Sequence, residues 1–201
     1  MLVKFMARPK EHDERTAAAL LAGAERTIEA DGLGALSLRE LARDAHTTTR
    51  AVYSLFGSKE GLFAALGSRA FELLQSGLDD LPATADPQND VVEAALMFRR
   101  FALEHPALFS IGIQLTEPGL WPRFSASAAE ARASLHRHFE RLAEEGLLGS
   151  RSVPEAALQF HCLCEGLAAL ELRRTPFGPD PEEFWRGAVQ ALVSGFAARR
   201  A

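Results

Sequence analysis

Apolar residues recur along this chain at helical intervals of three and four, and no stretch alternates with the two-residue rhythm of a half-buried strand. The first run, about residues 12–30, sets Ala17, Leu20, Leu21, Ala24 and Ile28 on one face, and Gly32 and Gly34 stop it. Ser37 followed by Glu40 has the capping-box pattern and opens a short helix to about residue 45. Another short helix, about 48–56, begins after only two or three residues and ends at Gly57. Ser58 is placed to cap the fourth, whose buried face is Leu62, Leu66 and Ala70.

The stretch LPATADPQND, residues 81–90, is the one obvious punctuation between domains; the expected division is a helix-turn-helix head at 1–60 and a larger bundle at 61–201, with the fourth helix, from about 59, linking them. A helix over 91–104 follows, then a short one begun by His105-Pro106, and EPGLWP breaks the chain again. Phe124, Ala128, Ala131, Leu135, Phe139 and Leu142 form a single stripe on a long helix. Ser152-Val-Pro-Glu155 starts a helix reaching about residue 173, and Asp180-Pro-Glu-Glu183 starts the last. The expected fold is all-α with about nine helices, a three-helix head followed by a helical bundle, and no internal repeats.

With 47% hydrophobic residues over 201 positions the chain can bury a core, which excludes disorder as its general state. No apolar run approaches the roughly 20 residues a membrane helix needs, and MLVKFMARPK has no apolar block of signal-peptide length, so a cytoplasmic protein without membrane partners is expected. Cys162 and Cys164, two apart on a helix, point in different directions and are expected as free thiols. The net charge of −5 argues against a polyanion partner for the chain as a whole. Residues 1–60, however, hold nine basic and nine acidic residues, so the head is neutral and the bundle carries the deficit. A nucleic-acid reader is therefore allowed at the N-terminus, helped by Lys4, Arg8 and Lys10 in the leading arm.

Two short helices joined by a tight turn, the second opening on Thr47, Thr48, Thr49 and Arg50, form a helix-turn-helix pattern. In that arrangement the second helix enters the major groove N-terminus first. Leu38, Leu41 and Ala42 would face Val52 and Phe56 across the turn, while Tyr53 points about 100° away from Val52 toward a phosphate. Lys59 falls in the first turn of the next helix, where free N–H groups favour an anion. The segment LRELARDAHTTTRAVYSLFGSKEGL resembles the DNA-binding segment of the TetR family of transcriptional regulators, and the likeness covers roughly residues 12–75. The resemblance implies DNA contacts at Ser37, Thr48, Thr49, Arg50, Tyr53 and Lys59, with Ala42, Val52, Phe56 and Leu62 as core. The turn position usually held by Gly is His46 here, which must then adopt a costlier left-handed backbone. FRRFALEHPALF and EGLAALEL further resemble a TetR subgroup with a Trp-His-Gly signature, although only Gly166 matches, with Glu165 and His161 standing in place of the His and the Trp.

Candidate chemistry in the bundle is sparser. The aromatic set Phe98, Phe101, Phe109, Trp121 and Phe124 reads equally as core or as the wall of an apolar pocket. His161, Cys164 and Glu165 share one helix face and would line an effector cavity or, alternatively, bind a metal; His136 and His138 point apart. Phe160, Leu163, Leu167 and Leu170, with Phe184, Ala188, Ala191, Leu192 and Gly195, present apolar surface and small residues suited to a four-helix dimer interface. No nucleophile with an oriented base, phosphate-cradling loop or closed metal set is visible, so neither enzyme activity nor a cofactor is expected. The expected protein is a homodimeric repressor that binds double-stranded DNA at an inverted-repeat operator and is released by a small apolar or amphipathic effector. Two alternatives stay open: an all-α enzyme or metal protein using His161 and Glu165, and a regulator controlled by a protein partner.

Overall fold

The computed structural model describes residues 10–114 and 121–197. It contains nine α-helices: α1 (Lys10–Asp31), α2 (Leu38–Asp44), α3 (Thr49–Phe56), α4 (Lys59–Asp79), α5 (Pro87–Glu104), α6 (Pro106–Phe109), α7 (Trp121–Glu144), α8 (Val153–Leu172) and α9 (Pro181–Ala197). There is no strand among the described residues, as the periodicity predicts. Helices α1 to α3 form the head and α5 to α9 the bundle, while α4 runs continuously between them.

The helix starts follow from their caps. Thr48 Oγ1 accepts from Ala51 N, Ser58 Oγ from Gly61 N and Asp180 Oδ1 from Glu183 N, all at 3.1 Å. At Ser37 the hydroxyl accepts from Glu40 N at a long 3.5 Å, whereas the reciprocal box is completed at Ser152 and Glu155. Helix α5 begins at Pro87, earlier than the expected 91, because Asp86 caps it and proline suits the first helical position. After α6 the chain continues through a π-helical turn, Ser110–Gln114, that the sequence pattern does not announce.

The long stripe of α7 packs along α4, the most extensive helix pair of the fold. Their approach is so close that a Cβ on Gly67 would sit 2.8 Å from the Phe124 ring, which itself stacks on Phe71 at 5.8 Å. Trp185, Phe196, Phe139 and Leu142 are all but fully buried in the same core, where the Phe139 and Phe196 rings lie 6.5 Å apart.

Two polar clusters hold the bundle's helices in register. Glu171 of α8 accepts three hydrogen bonds from Arg99 of α5, at 2.7 to 3.2 Å, and a fourth from Trp185 Nε1 of α9 at 2.9 Å. Asp90 is buried at the start of α5, where it accepts from Thr84 Oγ1 at 2.6 Å and Thr84 N at 3.0 Å and pairs with Arg141 of α7. The expected linker is therefore stitched down through Thr84. Burial pushes the Asp90 pKa up, but the Thr84 and Arg141 hydrogen bonds more than offset it, so its carboxyl ionises below the ordinary Asp value.

A group with a depressed folded pKa contributes stability that is present above its unfolded pKa and lost as pH falls through the folded one. Asp90→Asn should therefore cost roughly 2–4 kcal/mol at pH 7, because Arg141 loses its charged partner. The difference should shrink below about pH 4, where Asp90 protonates in the unfolded chain. Urea unfolding of both proteins across pH 3 to 7 measures this, and a constant gap would assign the loss to packing instead.

Candidate nucleic-acid interface and effector cavity

At the head, buried residues set the angle of α3. Leu41, Ala42 and Val52 are buried between α1, α2 and α3, and α1 approaches α2 so closely that a Cβ on Gly23 would meet Leu41 Cδ1 at 3.0 Å. Val52 is 1% exposed, while its neighbour Tyr53 is 52% exposed. The α3 face carrying Arg50 and Tyr53, three apart, is therefore turned outward.

The turn before α3 is a Schellman arrangement: His46 N donates to Arg43 O at 3.0 Å, and Thr47 N to Ala42 O at 2.9 Å. It requires a left-handed residue, and His46 has φ of 51°. The histidine thus takes the conformation that a glycine would take at lower cost.

Among the expected DNA-contacting residues, Ser37 and Thr48 use their hydroxyl oxygens as helix caps and keep their hydrogens free to donate. Thr47 and Thr49 are half-buried beside exposed Thr48 and Arg50. Lys59 has another task that spacing alone does not reveal. Its Nζ donates to Leu36 O at 2.8 Å and lies 5.8 Å from the Phe63 ring centroid, bracing the loop before α2 against α4. The side chains of the basic arm lie outside the described residues.

In the bundle, a cavity of about 390 Å³ opens between α4, α5, α7 and α8. Small side chains leave the space: Ala94, Ala128, Ala131, Ala157 and Gly112 stand where bulkier residues would fill it. Phe71, Leu74, Leu78 and Phe98 supply apolar walls, and Leu158, Arg132 and His136 lie toward the surface. His161 joins that rim, edge-on to Phe98 at 6.0 Å, with Nε2 3.6 Å from Glu165 Oε2. Burial lowers its pKa most, Glu165 opposes that shift, and Arg132 adds to it.

Of the expected ligand residues, Phe98 and His161 line this cavity. Phe101, Phe109 and Phe124 do not; they are packed in the core, where Phe109 meets Phe98 edge-on and Phe124 stacks on Phe71. Cys164 is also buried in the core, where desolvation pushes its thiol pKa up and disfavours the thiolate a metal would need, and among the described residues Glu165 pairs with His161 alone. The side chain of Trp121 lies outside the described residues. No group of three or more His, Cys, Asp or Glu among the described residues is arranged to hold a metal.

The expected dimer surface also needs correction. Phe160 is buried, packs edge-on against Phe139 at 5.5 Å and lines the cavity, while Leu167 is buried within the chain. Neither is available to a partner. Leu163, Ala188 and Leu192 are half-buried, and Leu170, Phe184, Ala191 and Gly195 are exposed. Exposed Leu158, Cys162 and Gly166 extend the α8 side at four-residue intervals.

Sequence and fold comparisons agree with one another. The family model for bacterial regulatory proteins of the tetR family matches residues 20–66, and that for the tetracyclin repressor-like C-terminal domain matches residues 91–192. An uncharacterized HTH-type transcriptional regulator of Mycobacterium tuberculosis is 24% identical over 98% of this chain and 87% of its own. A Rhodococcus protein of unknown function is 25% identical with a TM-score of 0.82, covering 95% of this chain and all of that one. The crystal structure of the TetR family transcriptional regulator PfmR from Thermus thermophilus aligns with a TM-score of 0.66 at 22% identity, over 90% of this chain and 99% of the other, a likeness of fold. Among the described residues no helix is long and apolar enough to cross a membrane.

His46→Gly should stabilise the protein by about 0.5–1 kcal/mol, the relief of a left-handed non-glycine residue less the added entropy of the unfolded chain. The expected readout is a higher urea midpoint with an unchanged slope. A loss of stability would mean that the imidazole makes a compensating contact in the turn.

Proposed function

Since the chain belongs to the TetR family of DNA-binding transcriptional regulators, we propose that it acts as a homodimeric repressor of an inverted-repeat operator and is released by a small effector held in the α4–α8 cavity. One observation carries the reading: α3 buries Val52 and turns Arg50 and Tyr53 outward from a helix N-terminus capped by Thr48. On this reading Thr48, Thr49 and Arg50 meet base edges, while Ser37, Thr47 and Tyr53 contact the backbone. Lys59 serves first as a brace, with its remaining N–H groups available to a phosphate. The head is residues 1–60 and the effector and dimerisation domain is 61–201.

The dimer would form on the exposed sides of α8 and α9. Leu158, Cys162, Gly166 and Leu170 make one row, and Phe184, Ala188, Ala191 and Gly195 the other, with open space over Gly166 and Gly195 for a close-packed partner helix. Kinship with the Trp-His-Gly subgroup would rest on Gly166 alone. Two such heads must lie about 34–36 Å apart to read successive major grooves on one face of the duplex.

Effector control would run through two links between cavity and head. Helix α4 lines the cavity with Phe71, Leu74 and Leu78 and begins beneath the end of α3. His105 Nδ1, at the corner between α5 and α6, sits 2.6 Å from Glu25 Oε1 of α1, with Arg69 of α4 3.9 Å from the other oxygen. An effector that fits only one arrangement of these helices shifts the population toward it by its differential affinity.

The experiment is selection of binding sites from random DNA by the purified protein. Enrichment of an inverted repeat is expected. Arg50→Ala should then alter preference at one position of each half-site by about 1–3 kcal/mol. Tyr53→Phe should weaken all duplexes alike. Uniform loss from Arg50→Ala would remove its base-reading role, and enrichment of a single half-site by a monomer would remove the dimer.

In the cavity, Ala131→Phe should occupy the void, leaving operator affinity intact and abolishing effector-driven release. Band-shift titrations with and without effector read both quantities.

A further inference from the structure

The cavity carries a second layer of information, in the placement of charge. Its inner wall, from α4 and α5, is formed by Phe71, Leu74, Leu78, Ala94, Met97 and Phe98, with no titratable group. All the titratable groups among the residues that line it, Arg132, His136 and His161, are basic, and all three are less deeply buried than that wall. A chamber apolar at the back and basic at the front matches an amphipathic guest with one anionic end.

Arg132 makes this arrangement notable. Unlike Arg100, Arg123, Arg151, Arg173 and Arg174, which also form no ion pair among the described residues, Arg132 lines the cavity; Arg99, Arg137, Arg141 and Arg186 each hold a carboxylate. Among the described residues Arg132 has none, although it is close enough to His161 for its charge to oppose protonation of that ring. With burial acting in the same sense, His161 is held toward the neutral form, leaving Arg132 as the permanent charge at the rim. Glu165 is the opposing group: it faces His161 from the next turn of α8 but does not line the cavity. A guest that supplied a carboxylate would give Arg132 the planar, bidentate partner that its guanidinium suits.

We propose that the effector is an apolar carboxylate whose tail lies among Phe71, Leu74, Leu78 and Phe98 and whose head lies between Arg132 of α7 and His161 of α8. This rests on the effector reading of the cavity and narrows it to one chemical class. Arg132 fixes the head by charge, His161 contributes a hydrogen bond from its neutral ring, and His136 flanks them. The volume of about 390 Å³ falls near the lower end of the roughly 300–1,000 Å³ usual for ligand sites, so a single compact chain or ring fits better than a nucleotide-bearing conjugate.

The test uses the full chain and three guests with the same tail: decanoate, decanol and decyltrimethylammonium, with para-hexylbenzoate as a second tail shape. Binding is read by calorimetry and release by band shift on the selected duplex. At least one carboxylate should bind roughly ten- to a hundredfold more tightly than decanol, the range expected of a charge-assisted contact, and the cation should bind worst. Arg132→Gln should bring that carboxylate to within about threefold of decanol without changing decanol itself, and Arg132→Lys should restore part of the preference. Equal affinity for acid and alcohol, a preference that survives Arg132→Gln, or no binding by any guest would each overturn the proposal. The broader reading fails differently: a carboxylate that binds with the predicted preference yet leaves the DNA complex intact would remove the effector role while the anion site stands.

Discussion

Helix α4 meets both halves of the chain so closely that a Cβ is excluded at each contact. In its first turn, a Cβ on Gly61 would fall 1.8 Å from the Phe56 carbonyl oxygen at the end of α3; two turns on, one at Gly67 would fall 2.8 Å from the Phe124 ring of α7. Neither neighbour has much room to yield, since one is backbone and the other is a buried ring stacked on Phe71. The helix is thus fixed against α3 at one end and against the cavity wall at the other. Close-packed contacts of this kind have few alternative arrangements, so displacement at one end is passed on rather than absorbed. Glu25 brings α1 into the same unit, with Arg69 of α4 near one of its oxygens and His105, at the corner where α5 turns into α6, on the other.

The cavity that α4 borders carries a cost. Unfilled volume forfeits dispersion contacts, and alanines on three surrounding helices contribute little burial of their own. The compensation lies in the polar ties outside it. Glu171 gathers Arg99 and Trp185, so α5, α8 and α9 meet at one carboxylate, while Asp90 gathers Thr84 and Arg141, joining α5 to α7. These ties hold the frame at the helix ends and leave the middle open. Core packing that would repair the middle would also remove the space for the proposed effector, so on that reading the most stable sequence and the most responsive one are in conflict.

Periodicity and caps made most of this architecture legible. The glycine stops, the Ser and Asp caps and the four-three spacing of α7 located the helices and the head. The π-helical turn at Ser110–Gln114 escaped because single π turns have no composition of their own. Partner choice was less readable. A stripe such as Phe160, Leu163, Leu167 and Leu170 states that a face is apolar, not whether another helix of the same chain or a second copy covers it; Phe160 and Leu167 went inside and Leu170 stayed out. The cavity departs from the expected aromatic set for a related reason. Phe101, Phe109 and Phe124 fill space, and a void forms where side chains are small. The useful signal was the cluster of alanines on α7, with Arg132 and His136 each one position from the apolar stripe.

The charge balance bears on how such a protein would be switched. Counterion release is set by the Lys and Arg that meet phosphates rather than by the net charge of a segment, so the cancelling charges of residues 1–60 do not by themselves fix the affinity of one head. On the proposed reading operator affinity depends on two heads engaging together, where the second binds at the effective concentration set by the first. That dependence is what makes a small rearrangement sufficient. An effector need not disrupt α3 or compete for its contacts; it need only stabilise a setting of α4 at which the two recognition helices no longer match successive grooves. Operator affinity then falls from the joint value toward that of one head, by no more than the effector's differential affinity for the two settings. The neutrality of residues 1–60, which leaves a DNA reader allowed but not demanded, is compatible with control by the spacing of two heads.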